Sequence, residues 1–525
     1  MKKILSALFL MLSVHLTSLE INTWSTPADT ISSTGVNASD PHIAMDGSGN
    51  VIAAWLENSL VVSKTKLLND SWSSLDTLSA TGASSPKIVV DPAGNATAVW
   101  VESGAVKAAT KPFSSSWGTP VTLSASGSSS AQIAIRSNGD VVAVWVASGF
   151  INSATKLYNQ NWQTTPDTLS AAGADSPQVA VGADGTVIAV WHANNTITSI
   201  DNVFAASKPI AGTWSAAATI SNPAINSLYP QVAVDPNGNA MALWFRCNHL
   251  NSTYSNVVLQ SSSLPSSGYS WSNPVDVSSP AARNPADLIA RIKYSDSGYA
   301  VAAWTTSYDG STFRIESSEI NSNQIWSEPF TIAYDLYAYS IDLAISSVGD
   351  IFAVYMSFDT ETSSVIIQSR ESHAGGIGSG SWTSPVTVST ENENGYPQIA
   401  AVVTGDVNNN AVAAWINFDG TNNIIQAVTG TGTQVVPPSN LSITQNVNSF
   451  GIFNEYYNLL TWDSSTDPNL VGYAIYRNNV LLAFVESSAL EFIDNNQKQN
   501  GSVTYGVSAT DNSGRESLPI YVSFP

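Results

Sequence analysis

One phrase recurs along the chain: IAMDGSGNVIAAW (43–55), IVVDPAGNATAVW (88–100), IAIRSNGDVVAVW (133–145) and VAVDPNGNAMALW (232–244). Recurrence constrains a fold more than any single motif, because a short unit that cannot bury its own apolar faces must bury them against its neighbours. Residues 71–115 and 116–160 are both 45 residues long and align without a gap. An opening tryptophan recurs at Trp24, Trp72, Trp117, Trp162, Trp214, Trp271, Trp326 and Trp382. A second aromatic recurs at Trp55, Trp100, Trp145, Trp191, Trp244, Trp304, Tyr355 and Trp415. Together they hold fifteen of the sixteen tryptophans, so the repeat runs through eight units and then stops.

Each unit contains four short runs of Val, Ile, Ala and aromatics separated by Gly, Asn, Asp and Pro, which predicts four strands joined by turns. In DPNGN, Pro presets φ and Gly accepts a positive φ, so the recurring phrase is a hairpin. Alanine stands two residues before every second aromatic (Ala53, Ala98, Ala143, Ala189, Ala242, Ala302, Ala353, Ala413) and shares its face of the strand. A small residue beside a large one lets a neighbouring sheet interlock. The opposite face is also apolar, as in VIAAW and VVAVW, so these strands lie between sheets. The fold class expected is all-β: an eight-bladed β-propeller over residues 20–430, with seven blades as the fallback if a degenerate unit is misread. The first unit opens with an unmatched Trp-initiated strand, and the last lacks one, so the N-terminal strand is expected to complete the final blade. Proline follows the opening tryptophan by three residues at Pro27, Pro120, Pro274, Pro329 and Pro385, which suits an outer edge strand.

The N-terminus has the layout of a secretory signal peptide: Lys2-Lys3, an apolar run Ile4–Val14, then HLTSLE, with cleavage expected near Ser18. The run is too short to span a bilayer as a helix. Removing residues 1–18 leaves 17 basic groups against 40 acidic ones. Such a polyanion repels nucleic acid and anionic membrane surfaces, so neither is an expected partner. Cys247 is the only cysteine, which excludes an intramolecular disulfide and a thiolate metal cluster; it reads as an idle thiol.

After GTGTQVVPPSN (430–440) the aromatic repeat ends. With residues 431–438 as linker, residues 439–525 contain NLLTWDSS with Trp462, the run Tyr473–Arg477, and YGVSATD with Tyr505. This segment resembles a fibronectin type III domain, which implies a β-sandwich with Trp462 buried and Tyr505 on the tyrosine-corner strand. No Arg-Gly-Asp occurs, so integrin binding does not carry over. The propeller units are comparable with sialidase blades but depart from them. VDPNGNAMALW separates Asp from Gly by two residues, and the turn Asp gives way to Arg136, Gly182, Ser295 and Ser346 in four units.

His42, His192, His249 and His373 sit in different units without metal-ligand spacing, so no metal and no cofactor are expected. The DPNGN turns lack the twelve-residue ladder and closing Glu of a calcium loop and are read as turns. The later units swell between their second and third strands: RCNHLNSTYSN (246–256), TTSYDGSTFR (305–314), MSFDTETSS (356–364) and INFDGTNN (416–423). Tyr308, Asp309, Arg314, Phe358, Asp359, Phe418 and Asp419 in these segments are the candidate ligand-binding residues, their alternative role being hairpin turns. The expectation is a secreted, periplasmic or surface-displayed monomer, not an enzyme, binding an extracellular glycan or protein through these loops. The alternative is a carbohydrate-active enzyme, hydrolase or lyase, with acids in the propeller channel.

Overall fold

The computed structural model describes residues 21–525 except 196, 251–252, 267, 269, 282–287, 296–297, 309–311, 321–324, 336–337, 339, 346–349, 362–363, 374–381, 390–398, 405–409, 433–434, 451–452, 479, 500, 512–516, 518 and 525. The expected signal segment, 1–18, lies outside the described residues. The chain divides into two compact units, one spanning 20–433 and one beginning at 434. Among the described residues all regular structure is strand, and no helix is long and apolar enough to cross a membrane.

The first unit is built as a β-propeller is, from repeated four-stranded antiparallel sheets. Seven such sheets follow one another, with first strands Ala38–Met45, Ala83–Val90, Ser128–Ile135, Ala174–Val181, Asn226–Val234, Ala290–Tyr294 and Ile341–Ile345. Within each, the strands neighbour one another in chain order, first to fourth. One further sheet takes Ile399–Thr404, Ala411–Phe418 and Asn423–Gly432 from the end of the repeat. Ile21–Trp24 and Asp29–Thr30, from the other end of the unit, pair with Asn423–Gly432 and complete it.

Each first strand pairs with one strand only, leaving an unpaired edge. First strands contact one another in cyclic order, and Ile399–Thr404 contacts both Ile341–Ile345 and Ala38–Met45, so the cycle closes on itself. Packing explains why. The aromatics at 55, 100, 145, 191, 244, 304, 355 and 415 are all fully buried. Each packs on the second strand of the preceding sheet: Trp100 on Ile52, Ala54 and Leu56, Trp145 on Val99 and Val101, Trp304 on Leu243 and Phe245. Trp55, in the first sheet, packs on Val412, Ala414 and Ile416 of the last. Truncating one such aromatic to alanine costs about 3–5 kcal/mol.

The opening tryptophans act as latches between sheets. Trp117, Trp214, Trp326, Trp382 and Trp24 donate their Nε1 hydrogens to Ser63, Ser153, Ser261, Ser317 and Ser369, at 2.8, 2.8, 2.8, 3.0 and 3.1 Å. Every one of these serines sits at the same register on the third strand of the preceding sheet, opposite the residue before the buried aromatic. Three sheets carry Ala108, Ala205 and Ala427 there instead, and two of the matching indoles, Trp162 and Trp72, have a buried Nε1 with no partner. The sequence predicts a fourth strand running on from each tryptophan. The ladder is shorter, two residues in six of the seven complete sheets, such as Asp76–Thr77 and Val275–Asp276. The indole is committed to the neighbouring sheet, and the proline three residues on has no N–H to donate.

The hairpin turns hold themselves together. Asp46 Oδ1 accepts the amides of Ser48 and Asn50, its Oδ2 accepts the Asn50 side chain, and Asn50 Oδ1 then accepts the amide of Leu68. Asp91 with Asn95 and Asp235 with Asn239 repeat this arrangement. Where Arg136 replaces the aspartate, Asp140 replaces the asparagine; the pair meets at 3.6 Å, and Asp140 accepts the Tyr158 amide. The carboxylates are thus saturated by local amides, a turn role rather than a cation-binding one.

The second unit packs a three-stranded sheet, with Ser439–Phe450, Phe453–Asp463 and Glu491–Gln497, on a four-stranded one holding Leu470–Arg477, Val480–Glu486, Val503–Asp511 and Ile520–Phe524. Leu460 and Trp462 from one sheet meet Tyr473, Ile475, Tyr505 and Val507 from the other in a single core. Trp462 and Tyr473 make an edge-to-face pair at 5.4 Å. The buried Tyr505 hydroxyl donates to Asp494, 2.6 Å, and accepts from Asn458, 3.1 Å, while Arg477 holds the same Asp494 carboxylate at 2.9 Å.

Candidate functional site

Strand alternation places every second residue of a first strand on one face. At the register paired with the residue just before the buried aromatic, the seven complete sheets carry His42, Lys87, Gln132, Gln178, Gln231, Arg291 and Asp342. Ala401 occupies that register in the remaining sheet. The residues on the other face, such as Ile43, Ile88, Ile292 and Leu343, are buried and apolar. One step further along the polar face stand Ala44, Val89, Ala134, Ala180, Ala233 and Ala344, with Lys293 as the exception. A closed cycle of inner strands therefore carries a belt of hydrogen-bonding side chains above a belt of small ones, and one lysine breaks the second belt.

The belt is electrostatically coupled across the space it encloses. Burial, and then the positive charges of Lys87, Lys293 and Arg291, hold the His42 imidazole well below its usual 6.5. Burial and the Arg291 guanidinium likewise lower Lys87, while Asp40 and Asp342 act in the opposite direction. Lys87 and Arg291 stand on opposite sides of the cycle, so these fields cross its centre. Arg291 Nε meets Asp342 Oδ1 at 2.9 Å, and a second nitrogen donates to the Ala290 carbonyl at 3.1 Å. Among the described residues neither Lys87 nor Lys293 has a carboxylate within ion-pair distance. His42 Nδ1 accepts the Ile88 amide at 3.3 Å. The neutral ring then carries its proton on Nε2, so His42 serves as a donor and not as a base.

The loop candidates lie on three consecutive sheets, one hairpin to each. Tyr308 and Arg314 flank one hairpin: the Arg314 guanidinium lies 5.3 Å from the Tyr308 ring and 4.6 Å from Tyr334. The Tyr308 hydroxyl donates to the buried Glu316 carboxylate at 2.9–3.0 Å, and burial together with that carboxylate pushes the phenol far above its ordinary value. Phe358 and Asp359 end the strand Asp350–Asp359 on the next sheet, where Asp359 accepts the Glu361 amide at 2.8 Å. Phe418 ends Ala411–Phe418, and Asp419 accepts the Thr421 and Asn422 amides at 2.8 Å each, which lowers its pKa. Asp309 lies outside the described residues. The structure brings Tyr308 and Arg314 together and leaves the other pairs on separate sheets.

The inner belt escaped the sequence reading, although its signal was present. In the aligned repeat the two columns read His, Lys, Gln, Gln, Gln, Arg, Asp and Ala, Val, Ala, Ala, Ala, Lys, Ala. The lone thiol is accounted for: Cys247 is buried, and burial pushes it up to about 12. Among the described residues no group of three or more His, Cys, Asp or Glu side chains is placed to hold a metal ion.

No family model and no curated protein matches the chain. Solved structures do. The polysaccharide lyase Uly1 is 8% identical over 75% of this chain and 90% of its own, with a TM-score of 0.44. The Penicillium chrysogenum alpha-L-arabinanase is 12% identical over 79% and 97%, TM-score 0.34, and the Hadza microbial sialidase Hz136 is 12% identical over 95% and 91%, TM-score 0.34. At such identities the likeness is one of fold. The three are named as a polysaccharide lyase, an arabinanase and a sialidase, and a prolyl endopeptidase shares the likeness; against these neighbours the expectations of a non-catalytic interaction protein and of no enzyme are withdrawn.

Proposed function

We propose that the chain is an exported carbohydrate-active enzyme, an eight-bladed propeller followed by a fibronectin type III module, with its site on the inner belt of the first strands. The observation that carries this reading is the belt itself. Seven inner strands present His42, Lys87, Gln132, Gln178, Gln231, Arg291 and Asp342 at one register, where the next position on that face is alanine or valine except at Lys293. Convergent polar groups around an enclosed space suit a ligand rich in hydroxyls. The cyclic contacts of the first strands and the pairing of Ile21–Trp24 with Asn423–Gly432 support the closed eight-bladed form. The three-on-four sandwich with Trp462 and Tyr505 in its core supports the module.

Antiparallel pairing puts the hairpins between second and third strands at the same end of each sheet as the start of the first strand. Tyr308, Arg314, Phe358 and Phe418 then flank the entrance and extend the contact with a polymeric substrate. The belt contributes one carboxylate, Asp342, engaged by Arg291, which differs from the acid-lined channel of the alternative sequence reading and from the two free carboxylates that glycoside hydrolysis uses.

The test is a polysaccharide panel incubated with the full chain and read by release of reducing ends. Cleavage of at least one polymer is expected, with Arg291→Ala reducing kcat at least about tenfold at unchanged circular dichroism, and Tyr308→Ala raising KM with kcat retained. Cleavage of no polymer in the panel, or an Arg291→Ala variant as active as the native chain, overturns the proposal.

A further inference from the structure

We infer that the substrate of this inner-belt site is an anionic glycan, whose negative charge is held by Lys87, Lys293 and the Nε2 hydrogen of His42, with Arg291 completing the clamp. The inference rests on the proposed function for the word substrate, and on the belt's charges for the word anionic.

The distribution of charge carries it. The chain has 19 Lys and Arg against 40 Asp and Glu, so cations are scarce and a random cluster of them is not the expected outcome. Yet Lys87, Arg291, Lys293 and the imidazole of His42 converge from three first strands, with Asp342 and Asp40 as the acidic groups that act on them. The Lys87 ammonium is partly withdrawn from water and feels the Arg291 guanidinium across the cycle, with no salt bridge of its own among the described residues. A cation enclosed without a counter-ion is costly to keep. It persists in a stable fold where a ligand supplies the missing charge. Lys293 makes the same point by position: the equivalent residue is alanine or valine in the other complete sheets, so no packing demand calls for an ammonium there. The glutamines at 132, 178 and 231 offer amide donors and acceptors for the hydroxyls of the same sugar.

Neutral polysaccharides leave the Lys87 charge unpaired, and nucleic acid is repelled by the surrounding net charge of −21. A short anionic saccharide that enters the enclosed space escapes that repulsion, because the field nearest to it is the belt's own.

Calorimetric titration of the full chain with three oligosaccharides of equal length tests this: an oligouronate, a sulfated neutral oligomer, and the unsulfated parent. The expected result is binding of an anionic oligomer at least about tenfold tighter than the neutral one, weakened by added salt, and reduced about tenfold or more in Lys87→Gln. Lys293→Gln, at an exposed position, is expected to weaken binding with folding unaffected. The uronate and sulfate arms tell which anion the clamp selects. Neutral and anionic oligomers binding alike, or both variants binding the anionic oligomer as the native chain does, overturn the inference. Such a result leaves the enzyme reading intact wherever reducing ends are still released. Tight anionic binding with no polymer cleaved has the opposite meaning: the clamp stands and the catalytic proposal fails.

Discussion

The tryptophan latches allow a quantitative test in both directions. Ser63→Ala removes the acceptor of the Trp117 Nε1 hydrogen, a 2.8 Å bond between adjacent sheets. It leaves a largely enclosed indole N–H unmatched, at a cost of about 1–3 kcal/mol. Ala108→Ser does the converse, supplying a hydroxyl at the register where the buried Trp162 Nε1 has no partner, with a gain of about 0.5–1.5 kcal/mol. With a urea m-value of about 3 kcal/mol/M or more for a unit of this size, a 2 kcal/mol loss moves the midpoint down by ~0.7 M at most, and the gain moves it up by roughly half that. Urea unfolding followed by tryptophan fluorescence reads both shifts. A double-mutant cycle isolates the bond: in a Trp117→Phe background, Ser63→Ala is expected to cost almost nothing further. Equal losses from Ser63→Ala in both backgrounds, or a destabilising Ala108→Ser, refute the reasoning.

Three further outcomes follow from the same geometry. Asp235→Ala strips the turn of the acceptor for the Asn237 and Asn239 amides and should cost about 2–3 kcal/mol by urea unfolding, whereas Asp235→Asn, which keeps an acceptor oxygen, should cost less. The folded-state pKa of His42 is depressed, so the unfolded chain binds more protons below pH 6.5, and stability is present above that pH and lost as pH falls through the window beneath it. Midpoints measured from pH 7 to pH 5 should therefore fall more steeply for the native chain than for His42→Gln, and parallel slopes would contradict the assignment. Cys247, buried and pushed up to about 12, should react with a thiol reagent only after unfolding, which labelling with and without denaturant checks by mass.

The sheets were legible because they are written in steric terms: an alanine two places before an indole, a Pro-Gly turn between strands, a tryptophan opening each unit. Each constrains local geometry whatever the neighbours are. The Trp-initiated segments were overread as full strands because an apolar, Pro-containing run looks alike whether it pairs in its own sheet or sends its ring to the next. The site was less legible for a physical reason. His42, Lys87 and Arg291 each look like the polar half of an ordinary strand alternation; only closure of the cycle brings positions more than two hundred residues apart into one field. The swollen hairpins carry the louder sequence signal, yet Asp359 and Asp419 there hold turn amides. Tyr308 and Arg314, both within TTSYDGSTFR, are in contact across one hairpin.

The most direct test of the account is a crystal structure of the full chain with a bound oligouronate. The account predicts a saccharide within the cycle of first strands, one carboxylate within hydrogen-bond distance of Lys87 Nζ and facing Arg291, and ring hydroxyls against Gln132, Gln178 or Gln231. A saccharide seated elsewhere, on the outer hairpins or on the C-terminal sandwich, with the inner belt empty, would contradict it.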